Sequence, residues 1–167
     1  TSFSNPSDET FLARYNSSGS LEWVKDMDSD APSYGIRLKA DGLGSVYVLG
    51  IFQSNLNADG NGGDYSLTPN GLWDNVLYKY SSDGFLRWAG KIGGGSNDFA
   101  ADIDVTPEHD IVITGAFEGT MHVDPNDAGV LLANQGPSDV FFAKYGANEP
   151  SFAGLPSISG FTPDNGP

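Results

Sequence analysis

The chain has 167 residues, 22 glycines, 12% aromatics, no cysteine and a net charge of −14. That length allows one domain with a sizeable core, or a domain plus a fragment. The lack of cysteine excludes a disulfide framework, a thiolate nucleophile and a thiolate metal site. The acidic balance opposes a nucleic-acid backbone or an anionic membrane surface as main partner, because like charges repel; no run is apolar enough to span a bilayer.

Residues 1–9 lack the basic and apolar regions of a signal peptide and read as an N-terminal extension or a cut end. Residues 11–16 and 21–25 then read as two strands of a hairpin joined by a polar turn. Past a loop containing Pro32, residues 35–41 alternate Ile36, Leu38 and Ala40 against Arg37, Lys39 and Asp41, as a strand with two unlike faces should. Residues 46–52 are apolar on both faces and predict a central strand buried on each side. Residues 53–71 form a glycine- and asparagine-rich loop with a short strand at 65–68, and YKYSSDGFLRW, residues 78–88, supplies a second hairpin. Strands are expected again at 101–105, 111–117 and 140–145; after Tyr145 the text becomes GANEPSFAGLP and the return strand is lost.

Laid on itself, the sequence repeats without gaps at an offset of 65 residues, so that Tyr15, Tyr80 and Tyr145 coincide, as do Trp23 and Trp88. GSVYVLGIF, residues 44–52, falls on HDIVITGAF, residues 109–117; Gly50 meets Gly115, Asp59 meets Asp124, Asn61 meets Asn126 and Asp74 meets Asp139. A period of this size with several strands per unit is the signature of a repeat architecture. The expected class is all-β, with four-stranded antiparallel units in tandem.

RYNSSGSLEW with SVYVLGIF, and YKYSSDGFLRW with DIVITGAF, resemble the SBBP family of bacterial β-propeller repeats. The resemblance covers roughly residues 10–145 and implies four-stranded propeller blades in proteins exported to the surface of, or outside, bacterial cells. It brings no catalytic residues. A second resemblance lies in LPSISGFTPDNGP, where Pro156, Ile158, Phe161, Pro163, Gly166 and Pro167 resemble the first strand of a TIG/IPT immunoglobulin-like domain. The domain organisation expected is therefore an extension at 1–9, propeller repeats at 10–147, and a linker with the first TIG-like strand at 148–167. Since a closed propeller of about four blades needs roughly 260 residues at this period, the expectation is an incomplete propeller fragment.

Residues shared between the copies are expected to serve the scaffold, and residues that differ are where a unique site can lie. Trp23, Trp88, Tyr15 and Tyr80 are read as core or inter-sheet packing, and Gly50 and Gly115 as points of close backbone approach. Asp59, Asn61 and Asp64, and again Asp124, Asn126 and Asp127, gather oxygen ligands suited to calcium; Asx-turns account for the same residues. Trp73 is unique to one copy, since Ser138 is its counterpart, and can either anchor a ligand or cover a sheet edge. Arg37 and Lys39 stand where the next copy has Asp102 and Asp104, which predicts charge pairing between neighbouring units; the competing reading is a carboxylate pair for acid–base chemistry. His109 and His122 are isolated, with His109 in a turn, and Asn16-Ser17-Ser18 reads as a turn before it reads as a glycosylation sequon.

The function expected is non-catalytic: a structural or adhesive region of a secreted or surface-displayed bacterial protein. Its partners would be a protein or glycan at the cell surface, or other copies of the same protein, with no nucleic acid and no membrane insertion. The alternative is a fragment of a propeller enzyme whose active site draws on further blades. No cofactor beyond calcium is expected.

Overall fold

In a computed structural model, which describes residues 10–59, 63–125 and 130–146, the chain consists of antiparallel β-sheets, with no helix among the described residues. The hairpin β1 (Thr10–Tyr15) and β2 (Leu21–Met27) forms a two-stranded sheet. The middle sheet runs through β3 (Ser33–Ala40), β4 (Val46–Phe52), β7 (Asp74–Tyr80) and β8 (Leu86–Gly94) as a four-stranded meander. A third sheet pairs β9 (Asp98–Val105), β10 (Ile111–Phe117) and β13 (Asp139–Tyr145).

The 65-residue offset reappears as register. Val48 pairs with Tyr78, and Ile113 with Ala143; Tyr15 pairs with Leu21, and Tyr80 with Leu86. It also governs the loop of residues 53–71, which folds into a small hairpin of β5 (Leu56–Asn57) and β6 (Ser66–Leu67), repeated by β11 (Thr120–His122) and β12 (Leu131–Ala133). Each small hairpin reaches back to the outer strand of the preceding sheet. Met121 pairs with Gly94 and His122 with Gly93, while one repeat earlier the contact is the single bridge between Ser29 and Leu56. The short strand expected at 65–68 is β6, whereas β5, the β11–β12 hairpin and the length of β8 through Gly94 are not predicted by local sequence, because a strand of two or three residues exists only where a neighbour supplies hydrogen bonds.

One turn closes the hairpins four times. Asn16, Asp41, Ser81 and Thr106 accept, through their carbonyls, the N–H groups of Gly19, Gly44, Gly84 and His109. Their side-chain oxygens accept a second set of backbone N–H groups, from Ser20, Ser45, Phe85 and Asp110, at 2.8–3.2 Å. The fourth residue of each turn has φ of 80°, 90°, 79° and 68°, the left-handed region, which glycine enters without a Cβ penalty and His109 does not. His109 thus lies in the turn expected for it, and Asn16 is the turn's organiser.

Two apolar layers hold the three sheets face to face. The first contains Leu12, Met27, Val48, Phe52, Val76, Tyr78 and Tyr80; the second contains Tyr47, Leu49, Leu77, Trp88, Ile103, Ile113, Phe141 and Tyr145. Strand β4 supplies both, since Val48 and Phe52 enter one layer and Tyr47 and Leu49 the other, as its two apolar faces predict. Full burial of such side chains stabilises by roughly 1.5–3 kcal/mol each. Gly50 lets the backbone close up: a Cβ there would stand 2.8 Å from the Tyr34 carbonyl oxygen, and at Gly115 one would collide with that of Phe99.

The shared aromatics divide. Trp88 and Tyr80 are core, Trp23 is half-buried, and Tyr15 is 61% exposed, contrary to its expected packing role. The reason is positional: Tyr80 and Tyr145 face a preceding sheet, whereas no sheet among the described residues precedes β1. The TIG-like residues and the whole of 148–167 lie outside the described residues.

Candidate functional site

Between residues 28–30, which follow β2, and the β5–β6 hairpin lies an open cleft of about 380 Å³. Its polar lining includes Asp28, Ser29, Asp30, Asn55, Asn57 and Ser66. One repeat later the same positions carry Gly93, Gly94, Gly95, Thr120, His122 and Leu131. The framework is shared and the chemistry is not, so this cleft is a place where the first unit departs from the scaffold pattern.

Backbone and side chains fix its walls together. The Asp30 N–H donates to the Asn55 carbonyl at 3.0 Å, the Asn57 N–H to the Asp28 carbonyl at 2.7 Å, and the Asn55 amide to Asp30 Oδ2 at 3.3 Å. Asn57 organises the far side, its Oδ1 accepting from the N–H groups of Asp59 and Tyr65 at 3.0 and 3.1 Å, and its Nδ2 donating to the Gly63 carbonyl at 2.9 Å. Asn55 Oδ1 accepts from Thr68 Oγ1 at 2.8 Å, so both carboxamide oxygens are engaged within the walls and the cleft's acidic character comes from Asp28 and Asp30. Behind it, burial and then the charge of Asp28 push the Asp26 carboxyl above the usual carboxylate range.

The residues proposed for calcium sit in the same hairpins. Asp59 and Asp124 occupy equivalent positions beside two buried tyrosines: Tyr80 Oη donates to the Ala58 carbonyl at 2.9 Å and Tyr145 Oη to the Val123 carbonyl at 2.8 Å. Burial, then the neighbouring aspartate charge, raises both tyrosines above their ordinary value. Asp64 is exposed and accepts from Ser66 Oγ at 2.7 Å. Asn61, Asn126 and Asp127 lie outside the described residues. Among the described residues no three or more His, Cys, Asp or Glu side chains gather at metal-holding spacing.

Trp73 stacks on Tyr34 at a centroid distance of 5.8 Å and an interplanar angle of 25°, and its carbonyl accepts the Asp98 N–H at 2.8 Å. It covers the β3 end and ties the start of β7 to the start of β9. Arg37 and Lys39 meet Asp102 and Asp104 across the sheets at 3.5 and 3.2 Å, the pairing expected from their repeat positions. The hydrogen bond from Lys39, with that from the Val105 N–H, holds Asp104 below the usual carboxylate range. An exposed, ion-paired carboxylate of lowered pKa is a poor general acid.

A different carboxylate pair escaped the sequence reading. Asp74 and Asp98 are both fully buried at the joint between the middle and third sheets; Asp98 Oδ2 accepts the Gly94 N–H at 2.6 Å and Asp74 Oδ2 the Asn70 N–H at 2.6 Å. Burial first, opposed by the Gly94 hydrogen bond and reinforced by the Asp74 charge, pushes Asp98 up to about 6. Both side chains are enclosed where the middle and third sheets meet. The tyrosine contacts had a sequence signal, since Tyr80 and Tyr145 repeat in register; of the aspartate pair only Asp74 repeats, as Asp139, while Asp98 has Ser33 as its counterpart, so nothing joined the two. No protein-family model matches the chain, and no curated protein matches it.

Proposed function

We propose that the chain is a run of propeller-type blades of the SBBP kind, serving as a non-catalytic structural and adhesive region of a secreted or surface-displayed bacterial protein. The observation that supports it is repetition at one offset: paired strands, turn, back-reaching hairpin and tyrosine hydrogen bond recur in successive sheets, of which the middle one carries a full four-stranded meander among the described residues. In such a scaffold each unit builds the same framework, and recognition belongs to the positions that differ. The polar cleft beside Asp28, Asp30 and Asn57 is that position, and its oxygen-rich walls suit sugar hydroxyls or the basic side chains of a protein ligand.

Glycan-array binding and capture of defined basic peptides by the purified chain test this reading. Binding by the wild type, weakened about tenfold or more by Asp30→Ala and Ser66→Ala and unchanged by the remote Asp83→Ala, is the expected result. Loss of that binding on chelation would add calcium, held near Asp59, Asp64 or Asp124, to the reading. Absence of any ligand, or turnover of a substrate by the chain, would overturn it in favour of the enzyme alternative.

A further inference from the structure

Strands β1 and β13 lie 130 residues apart in sequence and carry the same side chains on one face: Phe11, Ala13 and Tyr15 against Phe141, Ala143 and Tyr145. In β13 this face is buried, with Phe141 at 2% and Tyr145 at 1% exposure, inserted into the layer that holds Leu49, Leu77, Trp88 and Ile92 of the preceding sheet. On the β1–β2 sheet the corresponding face leaves Tyr15 61% and Leu21 52% exposed. The structure thus contains one seated example of this surface and, among the described residues, a second that leaves Tyr15 and Leu21 exposed.

The opposite end of the stack presents the matching receiver. Leu77 and Asn75, both at 0% exposure, lie on the part of the middle sheet that faces the third; their counterparts one repeat later are Phe142 and Val140, exposed by 78% and 73%. Val112, the counterpart of Tyr47, shares that outward face through the alternation of β10. Exposed aromatic and branched side chains at positions that the same fold elsewhere buries mark an interface.

We propose that the chain associates head to tail, the Tyr15–Leu21 face of one copy stacking on the Val140–Phe142 face of a second. The inference deepens the assembly side of the function proposed above by naming the partner, and it rests on that reading only for the stacking of successive units, not for adhesion. Both halves of the contact reside in every copy but at opposite ends, so the contact is heterologous: it grows into an open series unless the rotation per copy closes a ring. The charge of −14 on each copy opposes the approach, so association strengthens as salt screens the repulsion.

Sedimentation velocity and equilibrium on the full chain, in about 0.15 M and 0.5 M salt, test the proposal with two blocking variants. Tyr15→Asp spoils the inserted face and keeps the receiver; Phe142→Asp does the reverse. Wild-type mass is expected to rise with concentration, more steeply at the higher salt, and each variant alone to remain monomeric with self-association weakened at least tenfold. An equimolar mixture of the two variants then forms a one-to-one pair and nothing larger, since one intact insert meets one intact receiver. Circular dichroism checks the fold of both, and Tyr15→Ser with Phe142→Ser replaces either that fails it. A wild type monomeric at every concentration, a variant that still self-associates, or a mixture that stays monomeric would overturn the proposal. A chain that binds no glycan or peptide but passes the mixing test loses its adhesive role and keeps its assembly.

Discussion

Replacing Tyr80 by phenylalanine removes one oxygen from the interior and little else. The hydroxyl donates to the Ala58 carbonyl at 2.9 Å, and Tyr80 and Ala58 are both fully buried. Without it the carbonyl faces an aromatic edge with no water at hand, a loss of about 1–3 kcal/mol, while the ring keeps its place between the sheets. For a chain of this size each kcal/mol moves the melting temperature by about 2–4 °C, so a fall of roughly 2 to 12 °C is expected. The effect should also be local, because Ala58 anchors the β5–β6 hairpin through its own N–H bond to the Tyr65 carbonyl at 2.8 Å. Hydrogen exchange should therefore quicken at the Ala58 amide more than at Val48 in the central strand. Tyr145→Phe, with its 2.8 Å bond to Val123, should cost a similar amount. The raised pKa of Tyr80 adds a pH signature: the stabilisation is complete below about pH 10 and lost as pH rises further, so the alkaline slope of stability should be shallower in the variant. Melting within 1 °C of the wild type, together with unaltered exchange at Ala58, would refute the assignment of this bond as a latch.

Three other substitutions probe the repeat and its joints. His109→Gly should raise stability by up to about 1 kcal/mol, read by urea titration, because the three equivalent turn positions are glycine and His109 holds a φ of 68°; a lower midpoint would contradict this. Reversing Asp102 and Asp104 together to lysine should lower the melting temperature at low salt by placing like charges beside Arg37 and Lys39, with the deficit shrinking at high salt; unchanged melting at low salt would dismiss the pairing. Asp98 titrates in the fold at about 6, above its ordinary value, so its contribution to stability is present below about pH 4 and fades as pH rises through 6. Asp98→Asn should flatten stability over that window, and an identical profile in both proteins would show that the joint does not titrate there.

Much of the architecture was legible in the sequence because it is written more than once. Strand β4 has apolar side chains on both faces, and two buried faces are the only arrangement that satisfies them; the turns at Asn16, Ser81 and His109 lie where expected, whereas Asp41, expected within a strand, opens a fourth turn of the same kind; Arg37 and Lys39 met Asp102 and Asp104 because repeat positions become neighbours when units stack. What only the tertiary structure decided are features that depend on a partner distant in sequence. The two-residue strand β5 has no intrinsic preference strong enough to announce it, unlike its partner β6 in the strand expected at 65–68, and it exists by pairing and by the tyrosine bond. The cleft at Asp28 and Asn57 joins two segments whose polar residues look like ordinary loop chemistry until they face each other. Asp98 is unremarkable as text, and its raised pKa arises from burial beside Asp74. Identical side chains even part ways, Tyr15 outward and Tyr145 inward, because burial is a property of what stands opposite a residue and local sequence encodes only the residue itself.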